Sequence, residues 1–339
     1  MSGFVGLTWD HPRGREALQA APFADLTWEV QPLEGFESAP IEELAAKYDL
    51  IVLDHPHLGD ALAHDCLRPL EELFTASELA AWSAEAVGPS ASSYQLDGTT
   101  WALPLDAATQ VSARRPDLLA SAPATWAEAL STDAPTAPSL AGPHAFLSLC
   151  SIAVSLGADF LDRAVATEAL SILAELAHTA PAGTVTLNPI GLLELMSSTD
   201  ELAYVPLVYG YVNYAPRVAF DAPPAGTRIG STIGGTGIAI SRRCDPTPEL
   251  LDHLRWLMSP TTQAGFIPEH AGQPSARSAW QQLGPFYTDT LATIEASWVR
   301  PRFAGYIPFQ SRASAIIRDG LDSATTIDRV YAAYREAQA

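Results

Sequence analysis

Residues 47–54 read KYDLIVLD, and this stretch decides the fold class. Its centre, Leu50–Leu53, is a continuous apolar run of the kind that α/β proteins bury on both faces of a sheet. The run ends at the polar sequence DHPH over 54–57. β-prone segments also occupy Phe4–Trp9 and 26–30, with helical patterns between the three. This alternation of strand and helix predicts an α/β fold with a mainly parallel sheet.

Further along, a Pro-, Ala-, Ser- and Thr-rich segment over 131–143 is typical of a loop. Three more strands are predicted, at 101–105, 202–208 and 230–240. The helical patterns after the loop lie at 144–180, 189–196, 247–259, 277–296 and 311–337. A length of 339 residues is enough for about two domains.

The charge balance is strongly acidic, with 39 acidic and 19 basic side chains and a formal net charge of −20. Such a surface repels phosphate backbones and anionic membranes, so neither nucleic acid nor membrane insertion is expected. No apolar run approaches the ~18 residues of a membrane span. The N-terminus shows neither a signal peptide nor a lipobox cysteine, which predicts a cytoplasmic protein; had a signal been removed, it would be periplasmic or extracellular.

The three cysteines, Cys66, Cys150 and Cys244, lie far apart and are odd in number. This spacing indicates neither a disulfide framework nor a zinc site, and buried free thiols are expected. No sequence motif calls for a cofactor or a resident metal.

Several phrases, taken in order, resemble one family. These are KYDLIVLD at 47–54, DGTTWALPLD at 97–106, the glycine-rich GGTGIAIS at 234–241, SPTTQ at 259–263 and AGQPS at 271–275. Together they resemble the extracellular family-1, carbohydrate-type solute-binding proteins of ABC transporters, here apparently a signal-less member.

The resemblance implies a two-lobed α/β fold, the type II periplasmic-binding-protein fold, with a ligand cleft between the lobes. Lobe one would comprise 1–105 and 226–282, and lobe two 106–225 and 283–339. A monomer that closes on its ligand by hinge motion is implied, with an ABC permease as partner if the protein is exported.

A near-repeat of Asp-His-Pro supplies the first candidate site. Asp10 and His11 follow the first predicted strand, and Asp54, His55 and His57 follow the strand at 50–53. Because ligands bind at the carboxyl ends of parallel strands, these side chains would meet at one edge if the strands are neighbours. The alternative is that the aspartates cap the next helix and the histidines complete a turn. A metal site is less favoured, because the histidine spacing matches no ligand motif.

An aromatic segment supplies the second candidate site. Tyr209, Tyr211 and Asn213 would share one side if the chain is extended there, which suits stacking and hydrogen bonding to a sugar. The alternative is a packed tyrosine stripe. Thr232 and Thr236 lie in the glycine-rich segment and would offer hydroxyls, or else form a bend without ligand contact.

The other candidate ligand residues occur singly along the chain. Trp9 would stack on a ligand, or else belong to the core. Asp106 would contact a ligand, or else cap the next helix. Gln273 lies in the GQP loop. Arginines would favour a ligand with an acid group, or else pair with surface carboxylates; the candidates are Arg13, Arg300 and Arg302.

Two functions follow from these patterns. The first is a binding protein that traps a small polar ligand, namely a sugar, sugar acid or hydroxy acid. The second is a cytoplasmic enzyme on the same scaffold that uses His/Asp acid–base chemistry on a hydroxylated or carboxylated substrate. The first is preferred, because the resemblance covers nearly the whole chain and the candidate lining is aromatic and hydroxyl-bonding. The sequence carries no nucleophile elbow, catalytic-lysine motif or metal signature that would favour the second.

Overall fold

The computed structural model describes residues 3–339. The strands are β1 Phe4–Trp9, β2 Leu26–Gln31, β3 Leu50–Leu53, β4 Gln95–Leu96, β5 Thr99–Thr100, β6 Leu103–Arg114, β7 Tyr204–Tyr209, β8 Ala219–Asp221 and β9 Ile233–Ile240. The helices are α1 Pro12–Ala20, α2 Leu33–Ser38, α3 Ile41–Ala45, α4 Leu58–Ala63, α5 Ala76–Glu85, α6 Trp126–Ser131, α7 His144–Leu156, α8 Arg163–Thr179, α9 Pro189–Ser198, α10 Pro248–Leu257, α11 Ile267–Glu269, α12 Arg277–Trp280, α13 Gly284–Glu295, α14 Tyr306–Asp319 and α15 Thr326–Ala337.

Internal contacts divide the chain into two compact units. Unit 1 comprises the chain up to Ala107, Gly234–Leu283 and Arg300–Ile307. Unit 2 comprises Ala108–Ile233, Gly284–Val299 and Pro308–Ala339. The chain therefore passes between the units several times, and β6 and β9 each contribute residues to both. The lobe limits predicted from the sequence stay a prediction.

Unit 1 is built on a sheet with the strand order β2-β1-β3-β9. The first three strands are parallel, as the sequence predicts, whereas β9 runs antiparallel to β3. The apolar run in β3 contributes side chains to the core on both faces of the sheet. Leu50 and Val52 pack in one core cluster, and Ile51 and Leu53 pack in another. Side chains alternate along a strand, so a strand covered on both faces must be apolar throughout.

The polar turns after β1 and β3 act as helix starts. His11 precedes α1, and its Nδ1 accepts a hydrogen bond from the Arg13 backbone N–H at 3.2 Å. Asp54 precedes the 3₁₀ turn His55–His57, and its Oδ1 accepts from the His55 backbone N–H at 2.9 Å. Proline occupies the first turn in both places, where its missing N–H costs nothing. The capping alternative for these motifs is therefore realised, by the histidine in the first copy and by the aspartate in the second.

Unit 2 combines a small antiparallel sheet with a largely helical core. Strand β6 pairs antiparallel with β7 and with β8. Helix α7 is buried along almost its whole length and packs against α8. The sequence predicts one helical stretch here, but the structure breaks it at Gly157, whose φ of 111° ends α7 in the left-handed region. Among residues 3–339, no helix is both long and apolar enough to cross a bilayer.

Candidate functional site

The two Asp-His-Pro copies lie at the same end of neighbouring strands, as predicted, because β1 and β3 pair in parallel. Their side chains do not form one open cluster. The Asp10 side chain is 57% exposed, and Arg15 Nη1 lies 2.5 Å from its Oδ1. His11 is buried, and burial together with the nearby Arg13 guanidinium lowers its pKa to about 4. A neutral imidazole is required for the cap that His11 forms on α1.

The side chains of the second Asp-His-Pro copy are more deeply buried. His55 is fully buried, and burial together with Arg300 lowers its pKa to about 4. His57 is buried as well; its Nε2 lies 3.2 Å from the Phe36 carbonyl oxygen, and burial lowers its pKa. Burial alone would raise the pKa of Asp54, but the Arg300 guanidinium, whose Nη2 lies 2.5 Å from Asp54 Oδ2, holds it well below its usual range. The 3₁₀ turn replaces the extended backbone that would have put both rings on one side.

Five of the predicted residues, drawn from three separate parts of unit 1, line one cavity of about 20 Å³, room for about one water. They are Trp9, Arg13, Asp106, Thr236 and Gln273. Trp9 Nε1 and Thr236 Oγ1 have no hydrogen-bond partner among residues 3–339, although both residues are nearly inaccessible to solvent. Buried polar atoms usually have a partner, so these two atoms are candidates for hydrogen bonds to a water or a ligand group.

The charged side chains that line this cavity neutralise each other. Arg13 and Asp106 form a two-pronged pair, with Nε 2.8 Å from Oδ2 and Nη2 2.5 Å from Oδ1. The Arg13 guanidinium also lies 6.0 Å from the centre of the Trp9 ring. Gln273 is fully buried and donates from Nε2 to the Ala107 carbonyl at 3.1 Å. The pairing alternative for Arg13 is thus the geometry observed, with a buried rather than a surface carboxylate.

The other two predicted arginines also bind groups of the protein. Arg300 is buried against Asp54. Arg302 Nη1 lies 3.0 Å from the Ser92 carbonyl oxygen and 2.8 Å from those of Ser93 and Gln95. These contacts place both side chains in the framework of unit 1.

In unit 2 the structure shows a set of buried hydroxyls that the sequence analysis missed. Thr109 Oγ1 lies 2.5 Å from Ser231 Oγ and 2.5 Å from Ser297 Oγ; we call Thr109, Ser231 and Ser297 the hydroxyl cluster. Next to it, Ser151 Oγ donates to Gln110 Oε1 at 2.5 Å and lies 2.8 Å from Thr232 Oγ1. Of these residues only Thr232 was predicted as a ligand group. Serines and threonines scattered over distant segments carry no spacing signal that would identify them.

The aromatic segment differs from its prediction in one respect. Strand β7 ends at Tyr209, and a 3₁₀ turn follows over Val212–Tyr214, so the chain is not extended through Asn213. The premise of an extended chain from Tyr209 through Asn213 is therefore wrong. The Tyr209 ring contacts His144 edge-on at 5.9 Å, and Tyr211 packs against Tyr214 at 6.4 Å.

The three imidazoles predicted as acid–base groups lie in two local settings. His11 caps α1, and His55 and His57 are buried in the 3₁₀ turn after β3. Within residues 3–339 no group of three or more His, Cys, Asp or Glu side chains is arranged to hold a metal ion.

Comparison with solved structures identifies the fold. An ABC transporter solute-binding protein from Agrobacterium radiobacter K84 in complex with ribitol is 21% identical, with a TM-score of 0.79, over 99% of this chain and 97% of that one. Maltose-bound T. maritima MalE3 is 17% identical, with a TM-score of 0.80, over 99% of both chains. The Agrobacterium vitis S4 solute-binding protein with bound D-mannitol is 16% identical, with a TM-score of 0.74, over 99% of this chain and 97% of that one.

No family model matches the sequence, and no curated protein matches it. The structural similarity nonetheless covers nearly the whole chain. The protein therefore has the α/β fold of the two-lobed, sugar-binding proteins of ABC transporters, and the predicted fold class is confirmed.

Proposed function

We propose that this chain is a solute-binding protein, a monomer that traps one small polyhydroxylated ligand between its two lobes by hinge closure. The observation that carries the proposal is the whole-chain similarity to proteins whose structures hold ribitol, maltose or D-mannitol. Catalysis is not required of such a protein, and the predicted acid–base histidines are engaged in helix caps and buried turns.

The charge arrangement favours a neutral ligand, a sugar or polyol, over a sugar acid or hydroxy acid. An arginine that recognises a ligand carboxylate must keep donors free for it. Arg13 gives two donors to Asp106, Arg300 binds Asp54, and Arg302 binds three backbone carbonyls. A ligand acid group would have to displace one of these buried partners, which costs free energy.

A thermal-shift and calorimetry screen tests both parts of this proposal. Ribitol, D-mannitol, D-tagatose and maltose are compared with gluconate and tartrate at equal concentration. A ligand that binds only the folded state stabilises it by about 2.7 kcal/mol at a hundredfold excess over Kd. We expect at least one neutral compound to raise the Tm and to be recovered unchanged. Chemical conversion of the compound would refute the binding function, and a shift with acids alone would refute the neutral ligand.

The candidate ligand groups all stay predictions. They are Trp9, Asp10, His11, Arg13, Asp54, His55, His57, Asp106, Thr236, Gln273, Arg300 and Arg302 from unit 1, and Tyr209, Tyr211, Asn213 and Thr232 from unit 2. Alanine variants of Tyr209 and of Asp10 are the first to measure, because both side chains are partly accessible. A permease partner and the compartment in which the protein works also stay predictions. Cell fractionation of the full-length protein tests the compartment.

A further inference from the structure

Residues Arg300–Ile307, with the sequence RPRFAGYI, belong to unit 1, although the chain on both sides belongs to unit 2. The preceding segment, Gly284–Val299, and the following one, Pro308–Ala339, are both parts of unit 2. We call Arg300–Ile307 the tether. Because the chain enters and leaves unit 1 within these eight residues, the attachment of the tether to unit 1 restrains the chain on both sides of it.

Charged side chains hold the first half of the tether. Arg300 is 2% exposed, and its Nη2 lies 2.5 Å from Asp54 Oδ2. The other Asp54 oxygen, Oδ1, accepts from the His55 backbone N–H and so is held by the turn that follows β3. Arg302 Nη1 donates to three carbonyls at the 3₁₀ turn Ser92–Tyr94. Two of them, Ser92 and Ser93, lie within the turn, and the third, Gln95, directly follows it. A cation is favourable at the carbonyl end of a helical turn.

Backbone contacts hold the second half. The Gly305 N–H donates to Asp60 Oδ1 at 2.7 Å, in the first turn of α4. Gly59, one residue earlier, lies directly against the tether backbone. A Cβ added at Gly59 would come within 2.3 Å of the Phe303 carbonyl carbon and oxygen, closer than any real contact. Glycine is therefore required at 59 because the tether passes there, not because of its own backbone conformation.

We propose that Asp54, Arg300 and Arg302 are positioning residues that fix the tether to unit 1. They thereby set how easily the lobes close, and they do not contact the ligand. A segment fixed in one lobe and continuous at both ends with the other limits the relative motions open to them. Loosening it adds open arrangements, which lowers the binding-competent fraction and weakens the apparent affinity by the same factor. The affinity part of this inference rests on the proposed function, whereas the anchoring part does not.

Native-state trypsin cleavage after Arg302 tests the anchoring without any ligand. Trypsin does not cut at Arg300 because proline follows, so within the tether only the bond after Arg302 is cut. Cleavage at the exposed Arg163 serves as the internal reference. When reclosing is faster than cutting, the rate follows the population of the open form.

The variants are Asp54→Asn, which weakens the ion pair, and Gly59→Ala, which pushes the tether without changing charge. Gly265→Ala is the matched control, because a Cβ there meets no atom within 4 Å. We expect Asp54→Asn and Gly59→Ala to raise cleavage at Arg302 about tenfold relative to cleavage at Arg163, and Gly265→Ala to leave it unchanged. If Asp54→Asn fails to fold, Asp60→Asn weakens only the Gly305 contact and is expected to raise cleavage by a smaller factor. Wild-type cleavage in Gly59→Ala and in the foldable aspartate variant would overturn the inference.

Ribitol, or whichever neutral compound the screen identifies, supplies the second readout. Gly59→Ala and Asp54→Asn are expected to weaken its binding by a similar factor, about fivefold to tenfold, although Gly59 has no side chain to offer. If Asp54→Asn weakens binding while cleavage at Arg302 stays at the wild-type level, Asp54 contacts the ligand and the inference is wrong. If no compound binds the wild-type protein, the proposed function fails, and the cleavage result still decides the anchoring.

Discussion

Two regions next to the points where the chain passes between its units bury polar groups in opposite ways. In unit 1 the pairs Arg13–Asp106 and Arg300–Asp54 bury full charges. In unit 2 the hydroxyl cluster, Thr109, Ser231 and Ser297, joins three crossing segments with neutral groups. Breaking a buried ion pair is costly, because one charge stays buried without its partner. Removing a buried hydroxyl leaves only neutral groups unpaired, and their desolvation costs less free energy. The two regions should therefore differ in mutational cost and in response to pH.

The largest expected effect is at the buried pair of unit 1. Asp106→Ala leaves the Arg13 guanidinium buried without its carboxylate, and the free energy of unfolding should fall by about 3–5 kcal/mol in denaturant titration. The double variant Arg13→Met with Asp106→Leu removes both charges and should recover most of that loss. A fall of less than about 1 kcal/mol in Asp106→Ala would show that water, not burial, governs this pair.

The hydroxyl cluster should cost less. Thr109→Val keeps the shape of the side chain and removes the hydroxyl shared with Ser231 and Ser297. We expect the free energy of unfolding to fall by about 1–3 kcal/mol. Thr109→Ser, which keeps the hydroxyl, is the control and should lose less. Because no titratable group is involved, the loss from Thr109→Val should be equal at pH 7 and pH 5. A clear pH dependence would contradict the expected difference between the charged pairs and the hydroxyl cluster.

Acidification should weaken unit 1 through its buried neutral histidines. Burial lowers the pKa of His11, His55 and His253 to about 4, below the unfolded value of 6.5. The unfolded chain then binds more protons between those values, so stability is full above pH 6.5 and falls as the pH drops toward 4. Each such histidine contributes up to about 1.4 kcal/mol per pH unit to the slope.

A single variant isolates this effect. His253 stacks between Phe23 and Trp256, at ring-centre distances of 5.1 and 5.6 Å. His253→Phe keeps an aromatic ring there and removes the titration, so the slope of unfolding free energy against pH should flatten between pH 6.5 and 4. The wild-type protein, measured over the same pH range, is the reference. Equal slopes in the variant and in the wild type would mean that other groups dominate.

The smallest expected effect is at a surface ion pair. Arg242 Nη2 lies 2.9 Å from Asp65 Oδ1, with the side chains 40% and 77% exposed. Asp65→Asn should change the free energy of unfolding by less than about 1 kcal/mol, because water already screens the pair. A larger change would show that charge matters on this surface as much as it does at Asp106.

Much of the framework could be predicted from local pattern. The run Leu50–Leu53, the strand Phe4–Trp9 and the helix start at Pro189 are where the sequence places them, because periodicity and proline act over a few residues. The break at Gly157 was missed, because a glycine inside a helical pattern signals an end only when its neighbours impose a positive φ.

The candidate site was predictable only in part. Neighbouring strands brought the two Asp-His-Pro copies to one sheet edge, as expected. The pairing of Arg13 with Asp106, across 93 residues, and of Asp54 with Arg300, across 246, has no local signature. Nor has the hydroxyl cluster, whose members come from three distant segments.

The sequence by itself determined the fold class, the parallel strands at the start of unit 1 and the type of residue at each strand end, since these depend on alternation, capping and turn chemistry within short windows. Only the tertiary structure decided what those polar residues do. A carboxylate at a strand end can face a ligand or an arginine, and the choice depends on which distant segment packs beside it. At Asp54 that segment is Arg300–Ile307, whose Arg300 Nη2 lies 2.5 Å from Asp54 Oδ2.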